Sequence, residues 1–361
     1  MPADATICVA VLGTGFGLSH HAQAWGDAGG ARVVAICSAR PGRGQEVARS
    51  MPGVEGFDDW QRMLDEARPD VLVIASQPDV HAEPAIAALG MGIHVLCEKP
   101  LTGDLDDAIR VEKAAHESTA LFVMDFEFRF SEIRQAVRDA IVGDSLGGLR
   151  SLVWTVRYPS YERLAAQPHG WLWEESHGGG IARAIGSHLL DSLFWFAPFA
   201  WTTGGMRWSS IAERDGTPSA ADDAFSVNGS EPGGAGFTVS LTPTHGAFAS
   251  ELTIVGSQAT LVMDEARGIA RIHRGPDDTE IVYEGSPSGP GTPGDDLRPR
   301  LARLVDRFLG AVRGRSFEDL PGIENGMRVQ EALETVKYTH HTQDTDTSPL
   351  TDGTAMKSET K

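Results

Sequence analysis

The sequence predicts an α/β protein, with a doubly wound parallel sheet at the N-terminus and an α+β domain with a mostly antiparallel sheet after it. Two patterns predict this. In the first third of the chain, short continuous apolar runs alternate with amphipathic segments. Beyond about position 130, apolar and polar residues alternate within each run instead. A chain of 361 residues is also long for one hydrophobic core, so we expect two domains.

The N-terminal domain, assigned to residues 1–128, carries five strand-like runs. Val, Ile and Leu occupy successive positions in them, which is typical of parallel strands covered by helices on both faces. The segments between the runs have the spacing of amphipathic helices. The runs are TICVAVLG, ARVVAICS, DVLVIAS, IHVLCEK and ALFVMDF.

The C-terminal domain is assigned to residues 129–341. Its alternating runs, such as LRSLVWTVRY and ASELTIVG, are separated by Gly and Pro turns and predict an antiparallel sheet with helices on one face. Two amphipathic helices are predicted near its end, in LARLVDRFLGAVRG and GIENGMRVQEALETVKYT. Residues 342–361 are polar and are predicted to be disordered.

Composition excludes several classes of function. The formal net charge of −19 argues against nucleic acid and anionic membranes as partners, because phosphate binding needs a basic face. No apolar run approaches the roughly 20 residues of a membrane span, and the N-terminus has no secretion signal. Three scattered cysteines predict reduced thiols in a cytoplasmic protein. No cluster has metal-ligand spacing, so we expect no metal.

A glycine-rich turn, VAVLGTGFGLSHHA, follows the first predicted strand and opens a helix. This position is typical of a dinucleotide site, where backbone amides approach a pyrophosphate at a helix N-terminus. The third glycine of the usual pattern falls on Leu18, and Gly17 comes one residue early. The residues expected to hold the phosphates are Gly13, Thr14, Gly15, Phe16 and Gly17.

The residues after the second strand predict the cofactor. An Asp or Glu there would grip the ribose 2′-hydroxyl of NAD, but this chain has Ser38, Arg40 and Arg43, with no carboxylate before Glu46. A hydroxyl and two guanidinium groups suit a 2′-phosphate, so NADP is favoured. The alternative is a solvated loop in which NAD is also accepted.

Several segments together resemble the glucose–fructose oxidoreductase and inositol dehydrogenase (Gfo/Idh/MocA) family. They are the glycine turn, ASQPDVHAEPAIAAL, GIHVLCEKPL, FRF and GGGIARAIGSHLLD, and the likeness runs from about residue 6 to 340. The resemblance implies an N-terminal Rossmann domain, a C-terminal domain with a large open sheet, and a nicotinamide between them. It implies hydride transfer on a secondary alcohol of a sugar or polyol. It also implies a homodimer or homotetramer formed through the C-terminal sheet.

The resemblance also implies roles for particular residues. Lys99 corresponds to the catalytic lysine, Glu98 lies beside the nicotinamide ribose, and the Lys99–Pro100 peptide is cis. The loop after the fourth strand lines the cofactor with Ser76, Gln77, Pro78 and His81. Independently of the family, oxidation of an alcohol needs a base for the hydroxyl proton, and a lysine at the end of a buried strand in an interdomain crevice is suited to that role. The alternative for Lys99 is an ordinary surface lysine.

The chain departs from the family pattern at Ala184, where an Asp is usual four residues before the His. His188 remains and is expected to bind substrate or relay a proton. Glu127 is a candidate replacement for the missing carboxylate, and Arg129 is a candidate substrate ligand; a structural ion pair between the two is the alternative. Asp191 is a further candidate substrate ligand.

Aromatic residues before the triple glycine suggest a carbohydrate pocket, since aromatic faces stack on sugar C–H surfaces. Tyr158 and Trp171 are the candidates, and a packed loop is the alternative. Two other functions stay open: an imine or enone reductase on the same scaffold, and an NADP-binding regulator that has lost turnover.

Overall fold

The N-terminal domain is a six-stranded parallel sheet. The computed structural model describes residues 5–158, 170–211, 213–214, 216–218, 220–289, 296–316 and 318–339, so the predicted disordered tail lies outside the described residues. The strands are β1 Ile7–Leu12, β2 Ala31–Cys37, β3 Glu55–Phe57, β4 Val71–Ile74, β5 His94–Cys97 and β6 Phe122–Met124. Their order is β3-β2-β1-β4-β5-β6, and every pair is parallel, which confirms the doubly wound prediction.

Helices connect these strands and cover both faces of the sheet. They are α1 Ala22–Asp27, α2 Arg43–Ala48, α3 Trp60–Ala67, α4 Ala82–Gly90 and α5 Leu105–Glu117. Local sequence sets their ends: Asp104 caps α5 by accepting the backbone N–H of Asp107 at 2.9 Å. The strand order reverses between β1 and β4, which opens a crevice at the carboxyl ends of the strands, where ligands of this fold bind.

The C-terminal domain contains a nine-stranded mixed sheet. Its strands are β7 Leu149–Tyr158, β8 Thr202–Trp208, β11 Ala224–Ser230, β12 Gly236–Pro243, β13 Ala249–Gly256, β14 Thr260–Asp264, β15 Ile269–His273, β16 Thr279–Glu284 and β17 Val336–Thr339; β9 Glu213–Arg214 and β10 Thr217–Pro218 form a separate hairpin. The order is β16-β15-β14-β13-β7-β12-β11-β8-β17. Only the β7–β12 and β8–β17 pairs are parallel among these described strands, so the prediction of a mostly antiparallel sheet is confirmed.

Helices cover one face of this sheet. They include α6 Glu132–Val142 and α7 Ser187–Phe196; two further helices, α8 Arg298–Val312 and α9 Ile323–Glu334, follow β16 in the chain. Along β7, Leu152 and Trp154 are fully buried, whereas Val153 between them is 46% exposed. This alternation follows from the pleat, which sends successive side chains to opposite faces, so the outer face of the sheet is open.

Helix α8 returns to the N-terminal domain. Phe308 belongs to the same hydrophobic core as Val9 of β1, and its ring meets Trp25 of α1 edge to face, with centroids 5.6 Å apart. A segment that the sequence assigns to the second domain therefore helps to cover the first sheet. Within the part of the chain that the structure describes, no helix has the length and apolarity needed to cross a membrane.

Candidate active site

The glycine turn lies at the carboxyl end of β1, and its first glycine cannot be replaced. Gly13 has φ +120°, its N–H donates to the Cys37 carbonyl at 2.9 Å, and a Cβ there would lie 2.2 Å from the Ala75 oxygen. At Gly15 the position of a Cβ is open space, with nothing within 4 Å. The backbone at Gly15 is thus accessible to a pyrophosphate, as a dinucleotide site requires.

Gly17 takes the place of the third glycine. A Cβ at Gly17 would lie 3.0 Å from Val11 Cγ1 and 3.2 Å from Ala75 Cβ, so the helix packs closely against β1 and β4. Residues Gly17–His21 form a π-helical turn before α1. Such a turn contains one residue more than an α-helical turn, and we interpret it as compensating for a glycine that comes one residue early.

At the end of β2, three predicted cofactor residues converge. Thr14 Oγ1 donates to Ser38 Oγ at 3.4 Å, and Arg40 Nη2 donates to Thr14 Oγ1 at 3.4 Å. Arg40 is exposed, and its hydrogen bond to Thr14 places its guanidinium at the glycine turn. Arg43 lies apart from this group and pairs with Glu46 on α2 at 3.0 Å.

The loop after β4 contains both lining and supporting residues. The hydroxyl of Ser76 is buried without a hydrogen-bond partner among the described residues, Gln77 is exposed, and Pro78 is buried. His81 is only 1% exposed, with Nε2 at 3.3 Å from the Ser76 carbonyl oxygen and Nδ1 at 3.2 Å from the Leu101 carbonyl oxygen. Burial lowers the pKa of His81, and the neutral ring donates to one of these two oxygens from its single N–H. The unpartnered Ser76 hydroxyl and the open Gly15 backbone fit a dinucleotide.

Lys99 projects into the crevice directly after β5. The Lys99–Pro100 peptide is cis, as the resemblance implies, and Lys99 Nζ donates to the Ala184 carbonyl at 2.8 Å. Ala184 belongs to a second π-helical turn, Ala182–Gly186, which precedes α7. The buried Asp222 holds the start of this turn by accepting the Ala182 N–H at 2.7 Å. A main-chain oxygen of the C-terminal domain thus contacts the lysine where the family pattern has a carboxylate.

Glu127 lies beside His188, and the described contacts do not place it on Lys99. Glu127 Oε2 is 3.6 Å from His188 Nδ1, and both side chains are under 10% exposed. Burial, followed by the charges of Asp125 and Glu98, raises the pKa of Glu127 well above its usual value. Burial and the charge of Lys99 lower the pKa of His188 well below its usual value. Both shifts disfavour the charged forms of the two groups.

Arg129 and Asp191 bind each other. Arg129 Nε and Nη2 donate to the two Asp191 oxygens at 2.8 and 2.5 Å, and both side chains are at most 5% exposed. The alternative of a Glu127–Arg129 ion pair is therefore wrong, because the guanidinium of Arg129 makes its two hydrogen bonds to the carboxylate of Asp191. Of the aromatic candidates, Tyr158 is buried at the end of β7 and Trp171 is half-buried.

The sequence interpretation missed one group beneath the crevice, which we call the His21 cluster: His21, Glu98 and Asp125. His21 Nε2 lies 2.9 Å from Glu98 Oε1 and 3.1 Å from Asp125 Oδ2. These are hydrogen-bond distances between the ring nitrogen and the two carboxylates. The three residues are far apart in the chain, and only the order of the strands brings them together, so no local motif reveals the cluster.

Two models of one protein family match the chain. Residues 7–126 match the oxidoreductase family with NAD-binding Rossmann fold, and residues 134–262 match the GFO/IDH/MocA C-terminal domain. An uncharacterized oxidoreductase of Synechocystis sp. is 26% identical over 94% of this chain and 95% of that protein. D-Glucoside 3-dehydrogenase of Escherichia coli is 30% identical over 53% of this chain and 54% of that enzyme, so this match spans only about half of each.

Solved structures share the fold. Levoglucosan dehydrogenase in complex with NADH and levoglucosan superposes with a TM-score of 0.77 at 20% identity, covering 91% of this chain and 96% of that one. An oxidoreductase domain protein from Kribbella flavida superposes with a TM-score of 0.79 at 22% identity, covering 91% and 96%.

Proposed function

Because the chain belongs to the Gfo/Idh/MocA family of oxidoreductases, we propose that it transfers a hydride between NADP and a secondary alcohol or ketone of a sugar, polyol or similar small molecule. The observation that carries the proposal is Lys99. Its amine stands in the crevice beside the glycine turn and is fixed at 2.8 Å by the Ala184 carbonyl of the other domain. A base whose position is fixed between a nucleotide site and a second domain is suited to proton transfer coupled to hydride transfer.

Lys99, His188 and Glu127 have different roles in the proposed reaction. The bound dinucleotide supplies the hydride acceptor or donor. As a free amine, Lys99 takes the hydroxyl proton during oxidation, and as an ammonium it returns the proton during reduction. His188 bonds the same hydroxyl through Nε2, and Glu127 lies 3.6 Å from its other nitrogen, Nδ1.

The relatives support this class of substrate. Their names include D-glucoside 3-dehydrogenase, inositol 2-dehydrogenase and levoglucosan dehydrogenase, each a dehydrogenase named for a sugar or polyol. Trp171 is the candidate to supply aromatic surface for such a ring, whereas Tyr158 is buried in the core, and Arg129 and Asp191 stay candidates for shaping the pocket.

The test is the absorbance of reduced nicotinamide, measured with NADP and NAD against glucosides, anhydrosugars, inositols and their keto forms. We expect turnover with at least one member of the panel. Turnover only with cyclic imines or enones would favour the imine or enone reductase. Tight binding of NADPH without turnover on any compound would favour the regulator.

We expect Arg40→Ala to weaken binding of NADP about tenfold while binding of NAD stays within a factor of two, because one charge-assisted contact to a 2′-phosphate is lost. Dissociation constants from isothermal titration give the result. Arg49→Ala, another exposed arginine just beyond α2, is the control and should change neither value. Equal weakening for both cofactors, or none, would contradict the preference for NADP.

We propose that the open face of the nine-stranded sheet binds a second copy of the chain. Exposed apolar side chains on three separate strands point out of this face: Val153 on β7, Met206 on β8 and Ile281 on β16. These side chains are spread across the open face, so an interface formed by this sheet would bury them. Light scattering should give the mass of a dimer or tetramer, and Val153→Arg should lower it. A monomeric mass at micromolar concentration would refute the proposal.

A further inference from the structure

The His21 cluster is a buried charge group with three members from separate elements. His21 ends the π-helical turn after the glycine loop, Glu98 follows β5, and Asp125 follows β6. His21 has no exposed surface, Glu98 is 8% exposed and Asp125 is 1% exposed. A single imidazole nitrogen bridges the two carboxylates, at 2.9 and 3.1 Å. The imidazole therefore holds two like charges together where water cannot reach them.

Protonation fixes the total charge of the cluster. Burial alone would lower the pKa of His21, but hydrogen bonds to Asp125 and Glu98 outweigh it and raise that pKa to about 10. Burial and the charge of Glu98 raise the pKa of Asp125 to about 6, whereas His21 keeps the pKa of Glu98 below its usual value against the effect of burial. At pH 7.5 the cluster holds one imidazolium and two carboxylates, for a net charge of −1.

The topology places this charge under the nicotinamide half of the crevice. In a sheet of this order, the first half, around β1 and β2, takes the pyrophosphate and the adenosine, and the second half, β4 to β6, takes the other nucleoside. Glu98 and Asp125 close β5 and β6 in that second half. Lys99 follows Glu98 directly and donates its backbone N–H to Glu98 Oε2 at 3.3 Å. The buried charge thus lies beside the reacting end of the site.

We propose that the His21 cluster binds the oxidised nicotinamide in preference to the reduced one, and that His21 acts as the positioning residue that sets the cluster's charge. The proposal rests on the proposed function. The oxidised ring carries a positive charge and the reduced ring carries none, so a buried negative charge favours only the oxidised form. At separations of several ångströms under low solvent exposure, one unit of charge corresponds to roughly a tenfold difference in affinity.

The test uses binding, so it does not depend on turnover. Dissociation constants for NADP⁺, NADPH and ADP-ribose are measured at pH 7.5 by isothermal titration. Asp125→Asn keeps the shape of the side chain but makes the cluster neutral, so we expect NADP⁺ to bind about tenfold more weakly, with little change for NADPH and ADP-ribose. Asp125→Ala makes the same change of charge if the first variant does not fold.

The double variant His21→Gln with Asp125→Asn separates charge from packing. It leaves Glu98 as the only charged member, so the net charge returns to −1, and the preference for NADP⁺ should return to within threefold of the wild type. If His21 only packs, the double variant binds all three ligands at least as poorly as the single variant, and the proposal is overturned. Equal weakening of NADP⁺ and NADPH in Asp125→Asn overturns it too. Failure of the wild type to bind either nicotinamide form would instead refute the proposed function.

Discussion

Lys99→Ala is expected to lower kcat by about 10²- to 10⁴-fold, the usual contribution of a positioned acid–base group. In the proposed reaction the amine exchanges the hydroxyl proton, and among the described residues no carboxylate pairs with this amine, which donates to the Ala184 carbonyl. Binding of the dinucleotide should change by less than threefold, because its phosphates rest on the glycine turn. Steady-state rates and a cofactor titration on the same preparation give both values.

A matched control for Lys99→Ala is Lys113→Ala. Lys113 lies on α5, its side chain is 76% exposed, and it faces Glu117 at 3.9 Å, so its loss should leave the rate and the affinity unchanged. If Lys99→Ala kept more than a tenth of the wild-type kcat, the assignment of Lys99 as the acid–base group would fail, and His188 would become the candidate.

Arg134→Ala is expected to destabilise the C-terminal domain by about 3–5 kcal/mol, because it leaves a fully buried carboxylate without its partner. Arg134 Nε donates to Glu265 Oε1 at 2.7 Å, and both side chains have no exposed surface. Arg134 Nη1 also donates to Ser192 on α7 at 2.8 Å, so the variant loosens the helix that carries His188. The midpoint of thermal unfolding, followed by circular dichroism, should fall by on the order of 10 °C.

The double variant Arg134→Met with Glu265→Gln tests the cause. It removes both charges, so no unpaired carboxylate is left, and it should recover at least half of the lost stability. If the double variant melts no higher than Arg134→Ala, the contacts of the Arg134 guanidinium with the rings of Phe128 and Trp154, rather than the unpaired carboxylate, account for the loss.

The strands and the glycine turn could be predicted from sequence because their signals are local. Continuous Val and Ile runs identify strands that are buried on both faces, and Gly13 supplies a backbone angle that other residues rarely adopt. The early glycine at position 17 looked irregular only because the compensating π-helical turn has no sequence signature.

The rest of the site depends on contacts that sequence letters do not encode. The sequence shows that the carboxylate expected at position 184 is missing. It does not show that the main-chain carbonyl of Ala184 accepts a hydrogen bond from Lys99 instead. Glu127 was a reasonable substitute by position, yet burial raises its pKa, and its carboxyl lies 3.6 Å from His188 Nδ1. The pairing of Arg129 with Asp191, and of His21 with Asp125, depends on how the strands are ordered in space.

The hydrogen bond from the Lys99 amine to the backbone oxygen of Ala184 has an evolutionary consequence. A carboxylate in that role can be lost by one mutation, whereas the peptide oxygen at position 184 is present whichever amino acid the gene specifies. The side chain at this half-buried position is therefore released from anchoring the lysine and constrained only by the helical turn that presents it. Mutations at position 184 can therefore change the neighbouring pocket and the substrate preference while the hydrogen bond to Lys99 stays in place. New substrate specificities can in this way arise by single mutations.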